Sequence, residues 1–253
     1  MDRRSVLKAL AGFALCPICT NFGFGEEVAH WSYEGAQGPG HWGDLDPADR
    51  VCANGGQQSP IVIDSSIKAQ LAPLKFAWTR QAETIINNGH TIQLNFNDGG
   101  TLTKGSGKYT LVQFHFHHPS EHHIDGKGFP MEAHFVHRSE EGSVGVVGVM
   151  LEAGKPNPVF AKIVASMPEA GGPAVAAAPG IDPRGLLPSN RGYYFYSGSL
   201  TTPPCSEIVD WMVLSRPIKV AMADIDTFAK LYPANARPIQ KLERRLVLRS
   251  RKA

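Results

Sequence analysis

Several short stretches of the chain alternate between apolar and polar positions, the period-two pattern of strands with one buried face. In Thr91 to Phe96, the residues Ile92, Leu94 and Phe96 share one face, and Thr91, Gln93 and Asn95 the other. Tyr109 to His117 and Met131 to His137 alternate in the same way. Val144 to Leu151 is a continuous apolar run, as expected of a strand buried on both faces. Ile208 to Leu214 reads as one more strand. Helical signals are few. Asn157-Pro158 can cap and start a helix running to Ser166, and Asp224 to Tyr232 is a second. Residues 31–60, rich in Gly, Pro, Gln and Ser, read as loop, as does Pro168 to Gly180. No internal repeat is visible. The pattern predicts a single, mainly β domain.

The same alternation sorts the histidines. Seven of the ten lie between residues 115 and 137. Their density alone would also fit a solvated loop that buffers metal loosely. Such a loop would not interleave histidines with Phe and Val at strand spacing. Gln113, His115 and His117 share one face of their strand, while Val112, Phe114 and Phe116 point into a core. On the next strand Glu132, His134 and Val136 share a face, opposite Met131, Ala133 and Phe135. If the two strands pair antiparallel, His115, His117 and His134 can hold one ion. Three imidazoles with a fourth position open are the ligand set of a catalytic zinc; a structural zinc shows four protein ligands, often cysteines. One zinc ion per chain is therefore expected. Gln113 and Glu132, two residues from His115 and His134, are positioned to take the second ring N–H of those ligands. His118, His122, His123 and His137 are expected to be solvent-facing or structural, and His30 and His41 carry no signal.

Composition narrows the class. With 253 residues, 42% hydrophobic and 19% charged, the chain is long enough to bury a substantial core. The formal charge is +2 and no long basic run occurs, so nucleic acid is not an expected partner. Arg3-Arg4, followed by an apolar stretch from Ala9 to Cys19, reads as an export signal of twin-arginine type with cleavage near Gly25. The stretch is too short to span a membrane, so no anchor is expected in the mature form. Residues 1–25 are thus assigned to the signal and 26–253 to the domain, in a periplasmic or secreted protein. Without the signal the net charge is zero. Cys16 and Cys19 fall in the signal; Cys52 and Cys205 remain, and an even pair in an exported protein favours a disulfide. Closing a loop of ~150 residues would stabilise by about 4–5 kcal/mol on the chain-entropy model.

Ordered motifs then carry a family resemblance. They are Gly38-Pro39-x-His41-Trp42, Gln58-Ser59-Pro60-Ile61, Asn87-Asn88-Gly89-His90, Gln113-Phe114-His115-Phe116-His117, Ser120-Glu121-His122 and Glu132-x-His134-x-Val136-His137. Asp182-Pro183-Arg184-Gly185-Leu186-Leu187-Pro188, Gly198-Ser199-Leu200-Thr201-Thr202-Pro203-Pro204 and Asn235-x-Arg237-Pro238-x-Gln240 follow. Together, from Trp31 to Arg245, they closely resemble the α-class carbonic anhydrases. The resemblance implies an α+β fold: a large, twisted, mostly antiparallel central sheet with a few short peripheral helices. It implies reversible hydration of carbon dioxide to bicarbonate by zinc-bound hydroxide, with carbon dioxide, bicarbonate and water as partners. His115, His117 and His134 would be the zinc ligands. Gln113, Glu132 and the Asn235 carbonyl would orient them. Glu121 and Thr201 would orient the hydroxide, and His90 would shuttle protons. Val136, Val146, Leu200, Thr201, Thr202, Val209 and Trp211 would line the substrate pocket.

An imidazole of pKa near 6.5 suits the shuttle role. Unaided loss of a proton from an acid of pKa ~7 is limited to about 10³–10⁴ per second, against the ~10⁶ per second for which carbonic anhydrase is itself the standard example. Two departures are visible. His118 stands where many members carry Trp, and Gln93 replaces an Asn found in some. A non-catalytic binding relative would normally lack a ligand histidine, and all three are present. A zinc esterase is the other alternative, since the same nucleophile can act on activated esters. Monomer and homodimer both remain open.

Overall fold

Register between strands decides which of the alternating faces meet. The computed structural model describes residues 30–251 other than Arg80 and Ala170, so the export segment expected at residues 1–25 lies outside the described residues. Among the described residues the main sheet has 13 strands. Its longer members are β1 (Leu74–Trp78), β2 (Thr84–Asn87), β3 (Ile92–Asn95), β4 (Gly100–Lys104), β5 (Gly107–His117), β6 (Met131–Arg138), β7 (Val144–Ala153), β8 (Tyr193–Gly198), β9 (Val209–Leu214) and β10 (Ile218–Val220). Neighbours run β2-β3-β5-β6-β7-β9-β8, while β4 joins β1 to β5. These pairings are antiparallel except that β7 runs parallel to β9 and β10. The helices are short and peripheral: α1 (Trp42–Leu45), α2 (Val51–Asn54), α3 (Pro158–Ala165) and α4 (Met222–Leu231).

The two faces of the sheet carry different loads. Every residue from Val144 to Leu151 is buried, as its unbroken apolar run predicted. On one face Val147, Val149 and Leu151 join Phe114, Phe116 and Phe135 beneath Phe160 of α3 and Phe228 of α4. Burying each such side chain contributes roughly 1.5–3 kcal/mol. On the other face Val146 and Met150 pack with Val209, Trp211 and Tyr196. The helices therefore cover the first face and leave part of the second free for a site. Asn157 caps α3 as its residue type predicted, its Oδ1 accepting from the amides of Val159 and Phe160 at 2.9 and 3.1 Å.

Local expectations need correcting in four places. Val112 is not a core residue of β5. The register shifts between Leu111 and Gln113, so Val112 is the extra residue of a bulge and stays half-buried. The bulge resets the alternation, so that Leu111 and Phe114 both enter the helix-covered core. Residues 31–60 are not all loop, since α1 and α2 form there. The segment Pro168 to Gly180 contributes Val175–Ala176, a two-residue strand paired with Ile85 and Thr84 at the sheet edge. Strands β1, β2, β4, β8 and β10 were not anticipated. Cys52 and Cys205 form the expected disulfide, which ties α2 to the loop after β8. No described helix is long and apolar enough to cross a membrane.

Candidate metal centre

His115 on β5 stands directly opposite His134 on β6. His117, two residues further on, projects to the same face. The ring centroids are 5.0 Å apart for His115 and His117, 5.4 Å for His115 and His134, and 4.5 Å for His117 and His134. One nitrogen from each lies within 4.8 Å of the others. His117 and His134 are buried, while His115 is partly open.

In each ring the other nitrogen is already committed. His115 Nδ1 donates to Gln113 Oε1 at 2.8 Å, and His117 Nδ1 to the Asn235 carbonyl at 2.7 Å. His134 Nε2 donates to Glu132 Oε1 at 2.9 Å. Those bonds fix the tautomers and leave the lone pairs of His115 Nε2, His117 Nε2 and His134 Nδ1. His117 Nε2 is buried without a hydrogen-bond partner among the described residues, a costly state unless something outside the chain satisfies it. Burial, then repulsion from His117 and His134, pushes the pKa of His115 well below the usual imidazole range. Burial likewise lowers His117 to about 4 and lowers His134. At neutral pH all three rings are neutral, each with one N–H committed and one lone pair free, and this set fits a zinc ion.

Glu132 anchors the centre from beneath. Besides His134, its carboxylate accepts from His122 Nδ1 at 2.8 Å and from the amides of Glu121 and His122 at 3.0 and 2.8 Å. Burial opposes its charge, but His122 and His134 outweigh this and hold its pKa well below the carboxylate range. His122 is therefore structural, as expected, and its Nε2 lies 2.6 Å from the Tyr196 hydroxyl.

Glu121 is fully enclosed beside the triad. Its Oε1 lies 3.5 Å from His117 Nδ1 and its Oε2 3.8 Å from His134 Nδ1. Oε1 accepts from the Arg237 amide at 2.8 Å. Burial raises the pKa of Glu121 to about 7, against the opposing pull of His134, the Arg237 amide and the Thr201 hydroxyl. Thr201 thus faces this carboxylate, although Oε2 makes no close hydrogen bond among the described residues. Val146, Val209 and Trp211 form one apolar cluster with Val136 and Leu200 packed against it, and Trp211 meets His134 edge-on at 4.8 Å. Thr202 is half-buried on the same loop, its carbonyl accepting from the Cys205 amide at 2.9 Å.

His90 follows a turn in which Asn88 Oδ1 accepts from the amides of His90 and Thr91, and Gly89 takes φ +85°, a conformation open to glycine. Its ring stacks on Trp31 at 3.7 Å and on His30 at 5.0 Å. Burial, then His30, lowers its pKa to about 4, well under the value expected for the shuttle. His30, which carried no signal in the sequence, thus touches the shuttle candidate. Sequence reasoning also missed Tyr196 beneath His122 and any role for Arg237. Arg237 had a signal, since it stands in the Asn235-x-Arg237 motif.

The chain matches the family model of eukaryotic-type carbonic anhydrases over residues 37–251. The carbonic anhydrase of Pectobacterium carotovorum is 43% identical over 223 residues, covering 88% of this chain and 91% of that one. That of Nostoc sp. is 38% identical over 261 residues, covering 97% of each. The solved α-carbonic anhydrase of Thermovibrio ammonificans, in complex with sulfanilamide, aligns with a TM-score of 0.85 at 45% identity over 87% of this chain and 99% of that one. Sheet and site together define the class in which three imidazoles on adjacent antiparallel strands face an apolar wall. The chain belongs to the α-class carbonic anhydrases and is an enzyme of that family.

Proposed function

We propose that this carbonic anhydrase hydrates carbon dioxide reversibly at one zinc ion held by His115, His117 and His134. The observation that carries the proposal is the division of ring nitrogens: three are spent on Gln113, Asn235 and Glu132, and the remaining three face one another. Bound zinc supplies a Lewis acid that acidifies water, carbonic anhydrase being itself the standard case of that chemistry, and a positive charge that favours ionised Glu121.

The side chains around the centre divide the remaining work. A hydroxyl has one proton and two lone pairs. When Thr201 donates to Glu121, its oxygen can only accept on the side facing the triad. It then holds a nucleophile that still carries a proton and turns the nucleophile's lone pair toward the wall. Val136, Val146, Leu200, Val209 and Trp211 give an apolar substrate a surface that makes no polar demands, with Thr202 at its edge. His90 carries protons between this cleft and the solvent. The ring stacked on Trp31 is a poor base. Turned into water, an imidazole returns to its ordinary range near 6.5, so shuttling requires that the ring leave the stack. Residues 1–25 act as the export signal and 26–253 as the domain. The Cys52–Cys205 disulfide supports a periplasmic or secreted location, since such bonds persist in oxidising compartments.

Stopped-flow hydration kinetics with zinc analysis test the reading. The mature protein is expected to contain one zinc per chain and to hydrate carbon dioxide, and His115→Ala to lose both. Zinc at full occupancy without hydration would sink the assignment.

A further inference from the structure

Arg237 lies 2% exposed, yet among the described residues no carboxylate oxygen bonds its guanidinium. Its Nη1 donates to Gln58 Oε1 and to the Ser59 carbonyl, each at 2.8 Å, and its Nη2 to the Cys52 carbonyl at 2.9 Å. A buried cation held by neutral oxygens is an expensive arrangement. Burial lowers its pKa to about 10, so it stays charged at neutral pH, and the opposing influence is Glu121. The Arg237 amide is the donor to Glu121 Oε1. Residues 234–241 form no helix or strand. Backbone bonds from the Asn235 amide to the His118 carbonyl and from the Gln240 amide to the Pro60 carbonyl tie the segment on either side. The Arg237 guanidinium adds a tie at the residue whose amide holds Glu121.

The same clasp reaches the loop that carries Thr201. Gln58 accepts from Arg237 through Oε1 and donates through Nε2 to the Cys205 carbonyl at 3.1 Å. The Cys205 amide in turn bonds the Thr202 carbonyl at 2.9 Å. Arg237 therefore bonds Glu121 through its backbone amide, while its side chain leads through Gln58 and Cys205 to the Thr202 carbonyl, one residue from Thr201.

We propose that Arg237 is a positioning residue for the Glu121–Thr201 pair, its guanidinium locking the amide that orients Glu121 to the segment that braces the Thr201 loop. The proposal rests on the carbonic anhydrase reading above. Lysine cannot replace it, because one ammonium cannot reach three acceptors across a rigid fork. The defect in Arg237→Lys is then a small misplacement of Glu121 relative to Thr201, with the metal ligands intact.

A double-mutant cycle in carbon dioxide hydration isolates this role. Arg237→Lys is expected to lower kcat/KM about tenfold with zinc content unchanged, as sub-ångström misplacement of an orienting group does. In a Thr201→Ala background the same substitution is expected to cost less than about twofold, because the pair it serves is already gone. Equal losses in both backgrounds, no loss in the native background, or loss of zinc along with rate would each overturn the proposal. Should Arg237→Lys not fold, Gln58→Leu loosens the clasp from its other end and enters the same cycle. The unmodified enzyme is measured first: if it does not hydrate carbon dioxide the underlying reading fails, whereas an active enzyme with an additive cycle sinks only the role of Arg237.

Discussion

A neutral imidazole offers its lone pair only from the nitrogen that lacks the proton, so the neighbours that hold the proton matter as much as the triad. Gln113 and Glu132 were legible because strand alternation puts i and i+2 on one face. The Asn235 carbonyl was not legible from spacing, since it lies 118 residues from His117 and is a backbone atom of any residue type. His90 shows the opposite limit. Its residue type suggested a shuttle, but its surroundings, Trp31 and His30 stacked on the ring, could not be read from the chain. His90→Ala is expected to lower maximal hydration rate in weak buffer by about tenfold or more, with kcat/KM nearly unchanged, and added imidazole should restore part of the loss. An unchanged rate in weak buffer would remove His90 from proton transfer.

At the level of elements, long alternating strands were readable and their junctions were not. The bulge at Val112 falls in the apolar pair Leu111-Val112, where simple alternation puts the wrong one of the two in the core, and it sets which face Leu111 occupies. Short strands such as β2 and β4 gain their stability from neighbours on the sheet, so their own residues give little warning. Crowding between strands has a consequence of its own at Gly148, which pairs with His134 from the β7 side. A Cβ there would stand 2.8 Å from Glu132 Oε1. Four donors pin that carboxylate, so it cannot step aside freely. Gly148→Ala is therefore expected to disturb the Glu132–His134 bond and weaken zinc affinity roughly 10–100-fold, as loss of such outer partners does. Competition with a chelator measures this; an unaltered dissociation constant would mean that the strand shifts and spares the carboxylate.

The molecule as a whole should be acid-sensitive, partly through a histidine that takes no part in the site. His137 is buried, its Nδ1 donating to the Gly145 carbonyl at 3.2 Å and its Nε2 without a partner among the described residues. Burial pushes its pKa down to about 4. An unfolded imidazole titrates near 6.5. Between those values the unfolded chain takes up a proton that the folded chain refuses. Stability contributed by this group is therefore complete above pH ~6.5 and falls as the pH drops toward 4, by up to ~1.4 kcal/mol per pH unit. Denaturant unfolding across this range should show the decline, and His137→Asn should remove about one proton from its slope. An identical slope in the variant would show that other groups carry the acid response. None of this was visible in the histidine count, because a ligand, a brace and a buried bystander are the same letter.

The distance in sequence between His117 and Asn235 has a consequence for how the protein is made. Synthesis proceeds from the N-terminus, so the three imidazoles proposed as ligands exist long before the carbonyl that fixes the tautomer of His117, and before Arg237, whose amide bonds Glu121. A ribosome-bound chain stopped short of residue 235 would offer zinc a set of imidazoles free to bind through either nitrogen. If zinc binds as proposed, faithful loading would wait for release of nearly the whole chain, and metal capture would be a closing event of biogenesis.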